Sequence, residues 1–102
     1  MYRCGLTQVV IEKLRDTDMK ILILLYRLGP MPIKRIVNEG SMSYTTVYRA
    51  LVPLKKYKLI GERVEPNRRV LYLTELGEFV ARRLIEIDEK ILEANPELKS
   101  FL

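Results

Sequence analysis

The apolar positions of the chain fall into helical and extended stretches separated by strong breaks. Leu6, Val9, Val10, Ile11 and Leu14 recur near helical spacing, with Thr7 placed as a cap, and predict a first helix. Asp16, Thr17 and Asp18 give a capping, acidic start to a second, Asp18 to Leu28. Met19, Ile21, Leu22, Ile23, Leu24, Leu25 and Leu28 leave it apolar on nearly every side, the pattern of a central buried helix. Gly29-Pro30 stops it. Pro32 suits the first turn of a third, short helix, with Ile33, Ile36 and Val37 inward and Lys34, Arg35, Asn38 and Glu39 in water. Gly40 is placed to close it in a left-handed cap. Ser43 is the next cap, for a helix from Tyr44 to about Lys58 with Val47, Ala50, Leu51 and Leu54 as its apolar stripe. Pro53 lies inside that helix, removes one backbone donor and crowds the carbonyl of Arg49, so a kink is expected there.

Two extended runs follow, Ile60 to Glu65 and Arg69 to Thr74, joined through Pro66-Asn67-Arg68. Leu71 and Leu73 point inward by alternation, and Val70 and Tyr72 face the other way. Thr74-Glu75-Leu76-Gly77 opens the last helix, which Asn95-Pro96 ends. Its apolar positions are Leu76, Val80, Leu84, Ile87, Ile91 and Ala94, and from Val80 the spacing of 4, 3, 4, 3 marks a helix that packs along another helix. The predicted class is mainly α with a small β-hairpin (α+β), and 102 residues suffice for a single domain.

Charge adds a direction to this outline. Residues 1–73 carry 14 Lys or Arg against 6 Asp or Glu, whereas residues 74–102 carry 4 against 7. The positive field is therefore localised, and such a field attracts polyanions. The longest apolar run, Ile21 to Tyr26, is far short of the about 20 residues that span a bilayer, and no signal peptide is visible, so a cytoplasmic protein is expected. Cys4 is the only cysteine and histidine is absent, which excludes a Cys/His zinc site within one chain and catalysis by His or a Cys–His pair. No nucleophile–base pair or phosphate loop is visible, so neither an enzyme nor a cofactor is expected. Cys4 reads as a free thiol, with an intermolecular disulfide or redox switch as alternatives. Few amides (Gln8, Asn38, Asn67, Asn95) among many Ile, Leu, Lys, Arg and Glu lean towards a thermophilic source.

Residues 32–58 have the order of a helix-turn-helix: a short helix, a turn containing Gly, and a longer helix with an exposed N-terminal half. Ser43-Tyr44-Thr45-Thr46-Val47-Tyr48-Arg49-Ala50-Leu51, then Leu54 and Lys58-Leu59-Ile60, resembles the recognition helix of winged-helix regulators. Arg69-Val70-Leu71-Tyr72-Leu73-Thr74-Glu75-Leu76-Gly77 resembles their second wing strand and the start of the following helix. Over roughly residues 17–92 the chain is similar to the MarR-like regulators and to small archaeal winged-helix DNA-binding proteins. The resemblance implies a winged helix-turn-helix with a wing at 60–74 and a C-terminal dimerisation helix at 75–95. It also implies a sequence-specific transcription regulator that binds double-stranded DNA as a homodimer.

The residues support that chemistry. Tyr44, Thr45, Tyr48 and Arg49 occupy the turns that a recognition helix presents to base edges, where Arg49 suits guanine and Thr45 a base edge or thymine methyl. Ser43 caps the helix and is placed to donate to a phosphate, and Lys34, Arg35, Lys55 and Lys56 are placed to neutralise phosphates. Asn67, Arg68 and Arg69 form the wing tip, with Arg63 on the partner strand. Val80, Leu84, Ile87 and Ile91 are the expected dimer interface. Plainer alternatives stand beside these. The tyrosines can simply cover apolar surface, the lysines can be a solvated face, the wing arginines can keep a hairpin soluble, and the last helix can fold back as a core helix. An architectural DNA-coating protein of low specificity and a winged helix used only for protein contacts are the two other functional readings.

Overall fold

The computed structural model describes residues 10–101. A 3-10 turn, Val10–Lys13, precedes helix α1 (Asp16–Leu28). Of the helix expected around Leu6 to Leu14, the part before Val10, with Thr7 and Cys4, lies outside the described residues. Strand β1 (Met31–Pro32), helices α2 (Ile33–Gly40) and α3 (Tyr44–Lys56), strands β2 (Ile60–Glu65) and β3 (Arg68–Leu73), and the long helix α4 (Glu75–Ala94) follow, with a closing 3-10 segment Pro96–Phe101. No described helix is long and apolar enough to cross a membrane.

Helix α1 is central, as its composition predicts. It packs against α2, α3, α4 and β3. Ile21, Leu22 and Leu25 form its buried face together with Asp18, while Leu28 at its end is exposed. Around them lie Met31, Ile33 and Ile36, then Val47, Ala50, Leu51 and Leu54 of α3, Leu59 and Ile60, Leu71 of β3 and Ala81 of α4. The stripes read from the sequence for α2 and α3 are thus the buried ones, because apolar residues three and four apart share one helix face.

The hairpin is part of a three-stranded antiparallel sheet in the order β1-β3-β2. The two-residue strand β1 was not expected. Pro32, expected in the first turn of the helix, is instead extended at the N-cap of α2 (ψ 160°) and pairs with Val70. Because β3 is the central strand, Val70 is buried although it alternates with the core-facing Leu71. Glu65 pairs with Arg68, so the turn is Pro66-Asn67 and Arg68 belongs to the strand. Gly40 is not the left-handed residue at the end of α2. Ser41 takes that conformation (φ 53°), and Gly40 is buried where an added Cβ would strike Met42 and approach Leu24.

Pro53 sits within α3, which continues through it to Lys56. Without an N–H at position 53, the carbonyl of Arg49 loses its helical donor. The Arg15 guanidinium supplies a replacement, Nη2 to Arg49 O at 3.2 Å. The same side chain donates to Asp18 Oδ1 at 3.2 Å, and the Arg15 backbone N–H donates to Asp18 Oδ2 at 3.0 Å. Asp18 is fully buried, so it closes the first turn of α1 while holding Arg15 against α3. Replacing Arg15 by Ala is expected to cost about 1–2 kcal/mol, since it strips a buried carboxylate of its cation. In a Pro53→Ala background, where an N–H again reaches Arg49 O, that cost is expected to shrink by about 0.5–1 kcal/mol. Thermal or urea unfolding of the two single variants and the double variant measures the coupling, and strictly additive losses would show that Arg15 does not replace the missing donor.

Candidate nucleic-acid interface

Helix α3 starts where its cap dictates. The Ser43 hydroxyl accepts the Thr46 N–H at 3.1 Å and donates to Thr46 Oγ1 at 3.0 Å. That hydroxyl is therefore engaged in capping both as acceptor and as donor. With the apolar stripe turned inward, the opposite face carries Tyr44, Thr45, Tyr48 and Arg49, all exposed. Val52, which the sequence reading passed over, is exposed on the same face. Its signal was present, since it lies seven residues after Thr45 and so on the same side of the helix.

The wing and α3 border one open groove. Lys34 of α2, Tyr44 and Tyr48 of α3, and Val64, Asn67, Arg68 and Arg69 of the wing line it. Six of the thirteen residues expected to contact DNA thus share a single concave surface. A smaller hollow behind it brings together Tyr48, Val52, Lys55, Glu62 and Arg69. Arg35 is exposed on α2 and lies 3.7 Å from Glu39, one helical turn on. Arg63 is exposed on β2, and Thr45 and Arg49 stand on the outer face of α3 rather than in the groove.

Two glutamates that the sequence reading left out organise the cations. Glu65 accepts from Arg68 Nε at 3.1 Å and from Arg63 Nε at 3.2 Å. Glu62 pairs with Lys55 at the end of α3 and with Arg69 of β3. Glu62 faces Leu71 across the ladder, which makes Arg69 its diagonal neighbour on the same side of the sheet. The pairing follows once the turn is known to hold two residues, whereas the three-residue turn read from the sequence hides it. The hydrogen bond from Lys55, with the attraction of Lys55 and Arg69, outweighs partial burial and holds the Glu62 carboxyl below its ordinary range. Glu65 is lowered in the same way by Arg68 and then Arg63. Among the described residues, Arg49 and Lys34 have no carboxylate within ion-pair distance.

The four residues expected at a dimer interface separate along α4. Val80 and Leu84 are partly buried against the chain's own core. Ile87 and Ile91 are 53% and 50% exposed. A shallow groove beside them is walled by Met19 and Ile23 of α1 and by Leu84 and Ile85 of α4.

No family model and no curated protein matches the chain. Solved structures do. A mutant of ZitR from Lactococcus lactis in apo form superposes with a TM-score of 0.75 at 27% identity, over 90% of this chain and 71% of that one. NMB1585, a MarR family regulator from Neisseria meningitidis, gives a TM-score of 0.71 at 23% identity, over 90% and 66% of the two chains. MepR, a transcription regulator of the Staphylococcus aureus multidrug efflux pump MepA, gives 0.74 at 21% identity, over 90% and 68%. The chain spans 62% to 71% of the length of the first ZitR structures it matches. The order of helices, the three-stranded sheet with its wing and the long closing helix make this chain a winged helix-turn-helix protein, similar in fold to these structures.

Proposed function

We propose that the chain is a sequence-specific transcription regulator that binds double-stranded DNA as a homodimer in the cytoplasm. In this reading residues 32–58 are the helix-turn-helix, 60–74 the wing and 75–95 the dimerisation helix. The observation that carries it is the pairing of a recognition helix without any acidic residue with a wing whose cations line the same groove. Thr45, Tyr48 and Arg49 read bases in the major groove, while Lys34 and the wing arginines engage phosphates and the neighbouring minor groove. The likeness to transcription regulators at 20–27% identity supports the same conclusion.

Dimerisation is supported by the unpaired half of α4. After Ile85 nearly every residue of the helix is exposed, Ile87 and Ile91 among them. An apolar strip of that kind is normally covered, and a two-fold dimer would set two recognition helices against two half-sites. A DNA-coating protein of low specificity is the main competing reading, and the ratio of affinities for a selected site and for random duplex at fixed salt separates the two.

Three outcomes are expected. Arg49→Ala weakens binding to a selected site by about 1–3 kcal/mol and relaxes the preference at one base position. Equal losses on selected and random duplexes would reassign Arg49 to a phosphate. Ile87→Lys with Ile91→Lys yields monomers by sedimentation, and a wild-type chain that is already monomeric at micromolar concentration removes the dimer. Finally, Glu62→Gln with Glu65→Gln releases four cations, so affinity rises on every sequence and the salt dependence steepens by about 0.9 for each additional phosphate contact. The folded values of both carboxyls are depressed, so their pairing stabilises the wing above the ordinary glutamate range and is lost as pH falls through the depressed values. Acidification of the wild type should therefore loosen the hairpin. A double variant with wild-type affinity and salt slope would show that these carboxylates do not compete with phosphate.

A further inference from the structure

The outermost ridge of α3 runs through Thr45, Arg49, Val52 and Lys56, spaced i, i+4, i+7 and i+11, and all four are exposed. Val52 stands in the middle of that ridge and is 69% exposed, the largest exposure of any bulky apolar residue on the helix. Tyr48 adjoins it one turn back and is also half exposed. The charges nearby on α3 are Arg49, Lys55 and Lys56, and the helix contains no carboxylate. A face that is cationic at its edges and methyl-bearing at its centre is complementary to a polyanion that itself presents methyl groups. In the major groove only thymine does so.

We infer, on the reading of this chain as a DNA-binding regulator, that Val52 is a specificity-determining residue whose methyl groups pack against a thymine 5-methyl beside the base read by Arg49. The spacing suits this. Three residues of helix advance about 4.5 Å, against about 3.4 Å per base along one strand, so the two side chains address positions one or two steps apart. Tyr48, which lines the same hollow as Val52, borders the contact and keeps water from it. The selected site therefore contains a thymine at a fixed distance from the position that Arg49 reads.

The test uses the full chain and the duplex it enriches from a random pool. Each thymine is replaced in turn by uracil, which removes the methyl group and leaves the pairing edge intact. One position per half-site should lose about fourfold in wild-type affinity, the effect of exposing one methyl-sized group. It should lie within two base pairs of the position where Arg49→Ala relaxes preference. Val52→Ala, an exposed substitution that keeps the wild-type melting temperature, should bind the thymine duplex more weakly and be indifferent to that replacement. Wild-type binding that tolerates uracil everywhere, enrichment with no fixed thymine, or a Val52→Ala chain as sensitive to uracil as wild type overturns the contact and leaves DNA binding itself standing. A wild-type chain that binds no duplex overturns both.

Discussion

The carbonyl oxygen of Leu59 fixes the angle between α3, the wing and the long helix α4. It accepts the Thr74 N–H at 3.1 Å, and the Thr74 hydroxyl lies 3.1 Å from it and 2.7 Å from the carbonyl of Lys58. The same hydroxyl accepts the Gly77 N–H at 3.0 Å and so caps α4. One threonine thus joins the exit of α3 to the end of the wing and the start of the long helix. Lys58, in the left-handed region at φ 62°, makes the reversal that brings these carbonyls round. Gly77 completes the joint, because a Cβ there would fall on the Leu59 oxygen. Any larger residue would push the first turn of α4 away and swing the wing with it. The Leu-Thr-x-x-Gly sequence at 73–77 is the chemical requirement of this junction.

Beyond the junction, the wing is held by charge as much as by its ladder. Glu62 ties the last turn of α3 to β3, and Glu65 keeps Arg63 and Arg68 on one side of the tip. Exposed ion pairs contribute little to stability, commonly below about 1 kcal/mol. Their effect lies in geometry and in net field. A wing whose arginines are already paired presents them in place, yet attracts a polyanion less strongly than its count of cations suggests.

Most of the fold was legible because its helices obey one period and its breaks are chemically strong. The buried stripes of α2 and α3, the Ser43 cap and the Thr74 cap are all local features, and local features survive translation into three dimensions. What escaped depends on pairing between distant segments. Two residues carry no periodicity, so Met31–Pro32 could not announce itself as a strand, and with it went the burial of Val70 in the middle of the sheet. The steric reason for Gly40 lies in Met42 and Leu24 and not in its own backbone, and the left-handed residue is the next one, Ser41. On α3 the apolar stripe was enough to identify the exposed face, but Val52 on that face went unremarked because only polar and aromatic side chains were weighed there. The glutamate pairs needed the strand register, and a one-residue error in the turn concealed them.

The bond from Arg15 to the Arg49 carbonyl has a consequence for how such sequences can diverge. A proline at position 53 leaves that carbonyl without its helical donor, and a long cationic side chain at position 15, anchored by Asp18, fills the gap. A chain with an ordinary residue at 53 does not need the donor, and one that keeps the proline but loses the donor leaves the carbonyl of Arg49 to solvent. Positions 15 and 18 lie far in sequence from position 53, yet the three form one structural unit, and substitutions at them should be correlated across descendants of this chain.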